Sequence, residues 1–244
     1  MVRHHLEPVR RGYQRRWLIF ALLPFAAAAQ GLPGLGRHDP RIAADVVRPP
    51  WNAVVRLQIA GVSLCTAVMV APNLVLTAAH CLYSIRTGHF MPAAAIHVLS
   101  GYADGKFAGH SLVTTYRLVP GYDPRRPDAT RPADAAVLTL AIPLIPARLA
   151  LPLAAAQAGQ QIVLPGFNQD RAQRLQIDPD CVVLGVGGSL LRHSCAGTRG
   201  GSGGPLLRHD PDGWKIVGLQ SGADPHNAGG VAVLSQTLAA LLHP

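Results

Sequence analysis

Residues 195–207 read "CAGTRGGSGGPLL" and hold one serine, Ser202, among glycines. A glycine-rich run of this kind forms a flexible linker when it stands alone between polar segments. Here a cysteine precedes it, and a proline and two leucines that begin an apolar strand follow it. We therefore interpret the run as a rigid turn, in which glycines supply the positive φ values that other residues avoid. The sequence predicts that this turn presents the Ser202 hydroxyl.

The composition favours a β-rich fold with a substantial core. Of the 244 residues, 49% are hydrophobic, which is enough to bury an interior. The chain has 25 glycines and 21 prolines but only 5% aromatic residues, a balance that suits short strands joined by turns. We expect an all-β protein.

The order of apolar runs predicts the architecture. Runs of five to eight residues, separated by Gly, Pro and Asn, give about six strands before residue 142. Strand-like runs resume after residue 160, with "AQRLQI" and "CVVLGVG" as separate strands, and "SQTLAALLHP" predicts one short helix that starts at a serine cap. We expect two six-stranded antiparallel β-barrels. The predicted divisions are an N-terminal segment at 30–50, a first barrel at 51–141, a proline-rich linker at 142–160, and a second barrel with the C-terminal helix at 161–244.

The amino terminus resembles an export signal. Five arginines precede the apolar run "WLIFALLPFAAAA", which is 13 residues long and too short to span a bilayer comfortably. We expect residues 1–29 to be a signal peptide cleaved after Ala28 or Ala29, a periplasmic or secreted location, and no stable membrane insertion. The remaining chain keeps about +5 of the formal +9 charge, and its arginines are scattered, so we expect no nucleic-acid partner.

Four cysteines in an exported chain indicate two disulfides. Three pairings are possible. The pairing of neighbours joins Cys65 to Cys81 and Cys181 to Cys195, and each loop of about 15 residues would stabilise the fold by about 3 kcal/mol. The spacing lacks the CxxC pattern of a metal site, so we expect no metal.

Two chemical arrangements compete for Ser202. "GGSGG" fits the G-x-S-x-G turn of α/β-hydrolases, whose acid and histidine follow the serine, but the chain lacks alternating helices and parallel strands. The order histidine, aspartate, serine finds stronger candidates upstream. "LTAAHC" places His80 after an apolar strand and beside a cysteine, and "DAAVLTL" places Asp134 at the start of another strand.

These three segments together resemble the trypsin/chymotrypsin-like serine peptidases, over residues 51–235. "PWNAVVRL", "CTAVMVAPNLVLTAAHCLY", "LSGYADG" and "VPGYDP" resemble the compact bacterial branch similar to glutamyl endopeptidases. The resemblance implies an active site between the barrels, with His80 and Asp134 on the first and Ser202 on the second.

Each expected role has a chemical reason. His80 would take the proton of the Ser202 hydroxyl, and Asp134 would fix the imidazole tautomer and stabilise the imidazolium. The match to the family motif assigns the oxyanion hole to the amides of Gly200 and Ser202. Ser221 matches a family serine whose segment lines the cleft and supports the aspartate.

The chain departs from the family's pattern at three positions. Gly201 replaces the aspartate that pairs with a newly cut amino terminus in chymotrypsin-type zymogens, so we expect no dependence on that ion pair after cutting at Arg41. Ala196 replaces the acid of a tryptic pocket, and Gln220 replaces the histidine of glutamyl endopeptidases. The pocket is therefore expected to be small and polar or weakly apolar. The residues assigned to it are Ala196, Thr198, Gln220, Ser221, Gly222 and Ala223.

The sequence thus predicts an exported serine endopeptidase that acts on proteins or peptides through an acyl-enzyme. It needs no cofactor for this chemistry, and a monomer is expected. The alternatives are an inactive binding module with the peptidase fold and a secreted esterase with the same triad.

Overall fold

The computed structural model describes Met1 and residues 31–242, so the predicted signal peptide lies outside the described residues. Fifteen strands and one α-helix follow in chain order within this part. The strands are β1 Ile42–Ala43, β2 Val54–Ile59, β3 Ser63–Ala71, β4 Leu74–Thr77, β5 Tyr83–Ser84, β6 His89–Phe90, β7 His97–Ser100, β8 Gly109–Leu118, β9 Ala136–Leu140, β10 Gln161–Gly166, β11 Gln176–Gly187, β12 Leu190–His193, β13 Pro205–Asp210, β14 Gly213–Ala223 and β15 Gly230–Leu234, and the helix is α1 Ser235–Leu242.

The first barrel closes through six antiparallel strands in the order β2-β3-β4-β9-β8-β7. Its interior is filled by wholly apolar stretches, with Leu57, Met69, Leu76 and Leu138 fully buried. Because both barrels are filled by side chains, neither encloses a channel. Functional groups must therefore lie at strand ends and in connecting loops.

The second barrel forms from β11-β10-β13-β14-β15-β12, and pairing of β11 with β12 closes it. Strand β1 adds to β11 on the outside, which ties the N-terminal segment to this barrel. The prediction of an all-β fold with two six-stranded antiparallel barrels and a short C-terminal helix is confirmed. The Ser235 hydroxyl at the start of α1 donates to the carbonyl of Ala154 (2.6 Å), so it fastens the helix to the chain before β10.

One strand prediction was wrong. The separate strands expected at "AQRLQI" and "CVVLGVG" form the single strand β11, which starts at Gln176. Opposite β10 its register shifts between Asp178 and Cys181, where Pro179 lies. A bulge accommodates the proline that would otherwise interrupt the pairing. Between β9 and β10 the structure has a short 3-10 helix, Ala147–Leu149, and the domain boundaries stay predictions.

The two expected disulfides are present, and each joins neighbouring cysteines along the chain. Cys65 bonds to Cys81, and Cys181 bonds to Cys195. The first bond fastens the short 3-10 helix Ala79–Leu82 to β3. Among the described residues, no helix is both long and apolar enough to cross a membrane.

Candidate active site

His80 and Asp134 meet at one end of the first barrel. His80 lies in the 3-10 helix that follows β4, and Asp134 comes just before β9, the strand that pairs with β4. Asp134 Oδ2 lies 2.7 Å from His80 Nδ1, and Asp134 Oδ1 accepts the His80 backbone N–H at 2.9 Å. Both carboxylate oxygens therefore hold the same residue, which fixes the imidazole in position and places a proton on Nδ1.

Asp134 is buried, with 3% of its surface exposed. The Ser221 hydroxyl of the second barrel donates to Asp134 Oδ2 at 2.5 Å. Burial alone would raise the pKa of Asp134, but the hydrogen bonds and charge of His80, together with the Ser221 bond, outweigh it and hold the pKa below its ordinary value. The carboxylate therefore stays ionised at neutral pH, as a partner for an imidazolium must.

Ser202 lies in a tight turn between β12 and β13. Gly200 and Gly203 stand on either side of it with φ values of +90° and +78°. A Cβ at Gly203 would lie 2.3 Å from the Thr66 carbonyl oxygen, so the turn could not pack against β3 with a larger residue. The sequence interpretation of this run as a rigid turn agrees with these contacts.

The amides of Gly200 and Ser202 donate no hydrogen bond to any other group among residues 31–242. The Arg199 carbonyl accepts the Gln169 N–H (2.7 Å), and the Gly201 carbonyl accepts the Gly204 N–H (2.9 Å). In a trans peptide the N–H points opposite to the C=O. The two free N–H groups therefore point away from the bonds that anchor their peptides and can take an anionic oxygen.

The first barrel also supports the serine turn. Thr66 Oγ1 on β3 donates to the Gly200 carbonyl at 2.8 Å and accepts the Phe167 N–H at 2.8 Å. The Thr66 N–H donates to the Ser202 carbonyl at 2.9 Å. Thr66 of the first barrel therefore bonds to the residues on both sides of Gly201 in the second barrel, and it joins the two barrels at the site.

Asn168 occupies the space beside Gly201. Its Oδ1 accepts the Thr198 N–H at 2.8 Å, and a Cβ at Gly201 would lie 3.0 Å from that oxygen. Gly201 itself donates to the Thr198 carbonyl at 3.0 Å. A neutral amide therefore organises the turn beside Gly201.

His80 and Ser202 line one cleft of about 660 Å³, together with Gly200 and the Cys65–Cys81 disulfide. In the part of the chain that the structure describes, no hydrogen bond joins the His80 ring to the Ser202 hydroxyl. Catalytic hydrogen bonds are often long in the absence of substrate. The structure thus brings three of the predicted site residues together: a carboxylate, an imidazole that it holds, and a hydroxyl in the same cleft.

The predicted pocket residues fall into two groups, those that line a cavity and those that are buried away from the cavities. Ser221 lines a cavity of about 270 Å³ with His80 and Asp134, and Gly222 and Ala223 line a neighbouring cavity of about 370 Å³. Ala196, Thr198 and Gln220 are buried and do not line the cavities just described. The Thr198 hydroxyl is buried without a hydrogen-bond partner among the described residues. This hydroxyl is therefore an unpaired polar group, among the described residues, in the segment that leads into the serine turn.

Gln220 is held by His193, a histidine that no sequence pattern singled out. His193 Nδ1 accepts the Cys195 N–H at 3.2 Å, so the ring carries its proton on Nε2 and donates to Gln220 Oε1 at 2.6 Å. Burial lowers the pKa of His193 to about 4. The ring is therefore neutral at pH 7, and it directs the Gln220 amide nitrogen toward the Gly222 carbonyl (3.2 Å).

One cluster has the residue types of a metal site. Cys65, His80 and Cys81 hold ligand atoms within 4.8 Å of one another. Both sulfurs are bonded to each other, however, and a disulfide lacks the thiolates that bind zinc. This cluster is a structural crosslink beside the histidine.

Comparison with known proteins agrees with this geometry. A family model described as trypsin matches residues 43–242. The chain belongs to the trypsin family. This trypsin-family chain is also 29% identical over 211 residues to Serine protease 56 of Mus musculus, an alignment that covers 75% of the chain and 34% of that protein. The chain thus spans about a third of that relative's length.

The fold is shared with a solved structure of Glu endopeptidase in complex with MPD. The TM-score is 0.71 at 18% identity, and the match covers 84% of this chain and 98% of that one. At this identity the likeness establishes the fold of the trypsin-family chain. Its substrate preference must be argued from its own residues.

Sequence reasoning missed two residues that bond to the serine turn, Thr66 and Asn168. Thr66 follows a cysteine within an apolar strand, and its only signal was a polar residue among apolar ones. Asn168 stands in "FNQD" after β10, which resembles an ordinary turn.

Proposed function

We propose that the chain is a serine endopeptidase in which Ser202 is the nucleophile, His80 the general base and Asp134 the group that orients His80. The observation that carries the proposal is the buried carboxylate 2.7 Å from His80 Nδ1, with Ser202 in the same cleft as that imidazole. Membership of the trypsin family supports the hydrolase class. The remaining roles follow from the chemistry of acyl transfer.

In the first step, Ser202 Oγ attacks the carbonyl carbon of the scissile peptide while its proton passes to His80 Nε2. The C=O electron pair moves onto oxygen, and the amides of Gly200 and Ser202 donate to that oxyanion. The tetrahedral intermediate then collapses, the C–N bond breaks, and the leaving amine takes the proton from His80. An acyl-enzyme ester on Ser202 remains.

In the second step, water attacks the ester carbonyl and His80 takes its proton. The Ser202–acyl bond breaks, the serine oxygen recovers a proton from His80, and the carboxylic acid product leaves. Asp134 stays ionised throughout, because its lowered pKa keeps it charged at neutral pH. Ser221 holds the carboxylate from the second barrel and so links the two halves during turnover.

The proposal includes export. Two disulfides are typical of proteins that fold in an oxidising compartment, and the basic and apolar start of the sequence is typical of a signal peptide. Mass spectrometry of the protein collected outside the cytoplasm should find an amino terminus at residue 29 or 30.

The decisive experiment combines labelling and cleavage. The purified protein should react with a fluorophosphonate probe and hydrolyse members of a peptide library, and Ser202→Ala should lose both activities. Ser194→Ala is the matched control and should keep both. The Ser194 hydroxyl accepts the Val182 N–H at 2.9 Å within the second barrel, and Ser194 does not line the cleft that holds His80 and Ser202.

The outcomes separate the proposed function from its alternatives. No labelling of the unsubstituted protein would contradict the peptidase and favour a binding module. Labelling that survives in Ser202→Ala would contradict the assignment of Ser202 as the nucleophile. Labelling at Ser202 with hydrolysis of ester substrates but of no peptide would favour an esterase.

A further inference from the structure

The segment before β1 carries a buried arginine, although the sequence there resembles an exposed cleavage site. The Arg41 side chain is 1% exposed, and its guanidinium bonds to two carboxylates. Arg41 Nη1 and Nη2 donate to the two oxygens of Asp170 at 3.1 and 2.5 Å, and Nε donates to Asp39 Oδ1 at 2.8 Å. Burial alone would lower the pKa of Arg41, but these bonds outweigh it and raise the pKa.

Asp170 belongs to the loop that supports the oxyanion donors. It lies in the 3-10 helix Gln169–Arg171, whose first residue donates its N–H to the Arg199 carbonyl at 2.7 Å. This bond orients the peptide that carries the Gly200 N–H. Arg41 is therefore connected to the proposed oxyanion donor Gly200 through its ion pair with Asp170 and then through the hydrogen bond from Gln169 to the Arg199 carbonyl.

The same segment contacts the serine turn at a second point. The Gly34 carbonyl accepts the Gly197 N–H at 3.1 Å, and the Gly34 N–H donates to the Asp224 carbonyl at 2.7 Å. Gly34 has φ +82°, and a Cβ there would lie 2.0 Å from the Gly197 carbonyl oxygen. Glycine is required for this close approach. Through its two hydrogen bonds, Gly34 joins the segment that holds Gly197 to the segment that holds Asp224.

We propose that residues 31–42, here called the N-terminal arm, hold residues 197–200 in the geometry of a working oxyanion hole. Arg41 and Asp170 are positioning residues in this proposal, which rests on the proposed peptidase function. The arm takes the place of an ion pair at position 201, where this chain has glycine and the Asn168 amide fills the space.

The expected effect lies in the chemical step. Removing Arg41 leaves Asp39 paired with Arg171 (2.8 Å) but takes both close hydrogen bonds from Asp170, whose nearest remaining cation is Arg171 Nε at 4.0 Å. The 169–171 loop should therefore relax and take the Arg199 carbonyl with it. A misplacement of about 1 Å can cost about 100-fold in rate. Because an oxyanion donor acts on the transition state, kcat should fall while KM stays nearly constant.

The test compares Arg41→Gln, Arg41→Lys and Asp170→Asn in the full chain. We expect kcat per titrated active site to fall about 10- to 100-fold in Arg41→Gln and Asp170→Asn, with KM within about twofold. Arg41→Lys keeps the charge and should recover much of the rate, although it loses the two-pronged geometry. Titration of active sites removes the effect of any misfolded fraction.

Arg208→Gln is the matched control. Arg208 forms a similar ion pair with Asp210 (2.6 Å) on β13, and its partner does not bond to the serine turn. This variant should lose some thermal stability and keep its kcat per titrated site. Equal losses of kcat in Arg208→Gln and Asp170→Asn would overturn the proposal, as would unchanged kcat per site in Asp170→Asn.

Amide hydrogen exchange tests the arm without using activity. In Asp170→Asn, the hydrogen-bonded amides of Gln169, Arg171, Gly197 and Thr198 should exchange faster than in the unsubstituted chain, and those of β8 should not change. Unchanged exchange at Gly197 and Thr198 would overturn the arm's role even if the chain hydrolyses no peptide. Absence of fluorophosphonate labelling in the unsubstituted chain would instead contradict the proposed function.

Discussion

The two halves of the site are held in different ways. In the first barrel, His80 and Asp134 bind each other directly, and the carboxylate bonds to both the ring and the backbone of the histidine. In the second barrel, Ser202 is held through its backbone, with carbonyl groups bonded to the surrounding chain and two N–H groups left free among the described residues. One half depends on the chemistry of side chains and the other on the path of the main chain.

This difference predicts two classes of substitution. A change in the first half should alter proton transfer and leave the fold intact, because the bonds between His80 and Asp134 stay within one barrel. A change beneath Ser202 should alter both geometry and stability, because the same bonds join the barrels. Substitutions in the two halves therefore differ in whether activity and stability are lost together.

Asp134→Asn should lower kcat by about 10⁴-fold. The asparagine amide donates to His80 Nδ1, so the imidazole carries its proton on Nε2 instead. A protonated Nε2 cannot accept the proton of the Ser202 hydroxyl. Steady-state kinetics on a library-derived peptide measures the loss. Asp212→Asn, an exposed carboxylate paired with Lys215, should keep full activity. An Asp134→Asn enzyme with more than about a tenth of the original kcat would contradict the assigned role.

The sequence could predict the first half of the site better than the second. The proposed triad of His80, Asp134 and Ser202 rests on three short segments whose residue types carry the chemistry, so local patterns were sufficient to propose it. Thr66 and Gly200 are 134 residues apart, and Arg41 and Asp170 are 129 apart. No local pattern relates such pairs, because their contact exists only once both barrels have formed.

The barrels themselves were predictable for a similar reason. Apolar runs of strand length are a local signal, and they located most strands. One exception was β11, which was predicted as two strands but continues through a bulge at Pro179. The burial of Ala196, Thr198 and Gln220 away from the cavities also depends on long-range packing, which no short segment of sequence records.

The histidine of the second barrel should make stability depend on pH. His193 has a folded pKa of about 4 against an ordinary value of 6.5, so the unfolded chain binds its proton first as pH falls. Its contribution is complete above about pH 6.5 and is lost progressively down to about pH 4, by about 3 kcal/mol. Urea unfolding from about pH 4 to about pH 7.5 measures this slope.

His193→Gln should flatten the slope in that window, whereas His226→Gln, at an exposed turn, should leave it unchanged. The carboxylates with lowered pKa, including Asp134 and Asp39, lose their contribution at lower pH as they become protonated, which separates their effect from that of His193. An equal slope in His193→Gln and the unsubstituted chain would contradict the buried neutral state.

Thr66→Val should weaken the joint between the barrels. It removes the donor to the Gly200 carbonyl and the acceptor of the Phe167 N–H, and leaves both buried groups unpaired. We expect a loss of about 2 kcal/mol in the free energy of unfolding and a lower kcat per titrated site. Thr114→Val, on the exposed side of β8, is the control and should change neither quantity. Loss of stability without loss of kcat would show that the joint does not set the geometry of the turn.

Ser221→Ala should give the smallest effect. Among the described residues, Ser221 is the one side chain of the second barrel that donates to the Asp134 carboxylate of the first barrel. The hydroxyl donates to Asp134 Oδ2, which also bonds His80, so its removal leaves the pair intact but raises the pKa of Asp134. We expect kcat to fall about fivefold, equivalent to about 1 kcal/mol. Asp134 favours folding above its unfolded pKa and loses that contribution as pH falls through its folded pKa, so acid unfolding should begin at a higher pH in the variant.

Ser100→Ala, buried in the first barrel, is the control for this smallest effect and should shift neither kcat nor the acid limb of the stability curve. A fall in kcat for Ser221→Ala as large as that of Asp134→Asn would mean that the carboxylate is oriented from the second barrel. The first half of the site would then depend on the joint between the barrels as much as the serine turn does, and the division between the two halves would not hold.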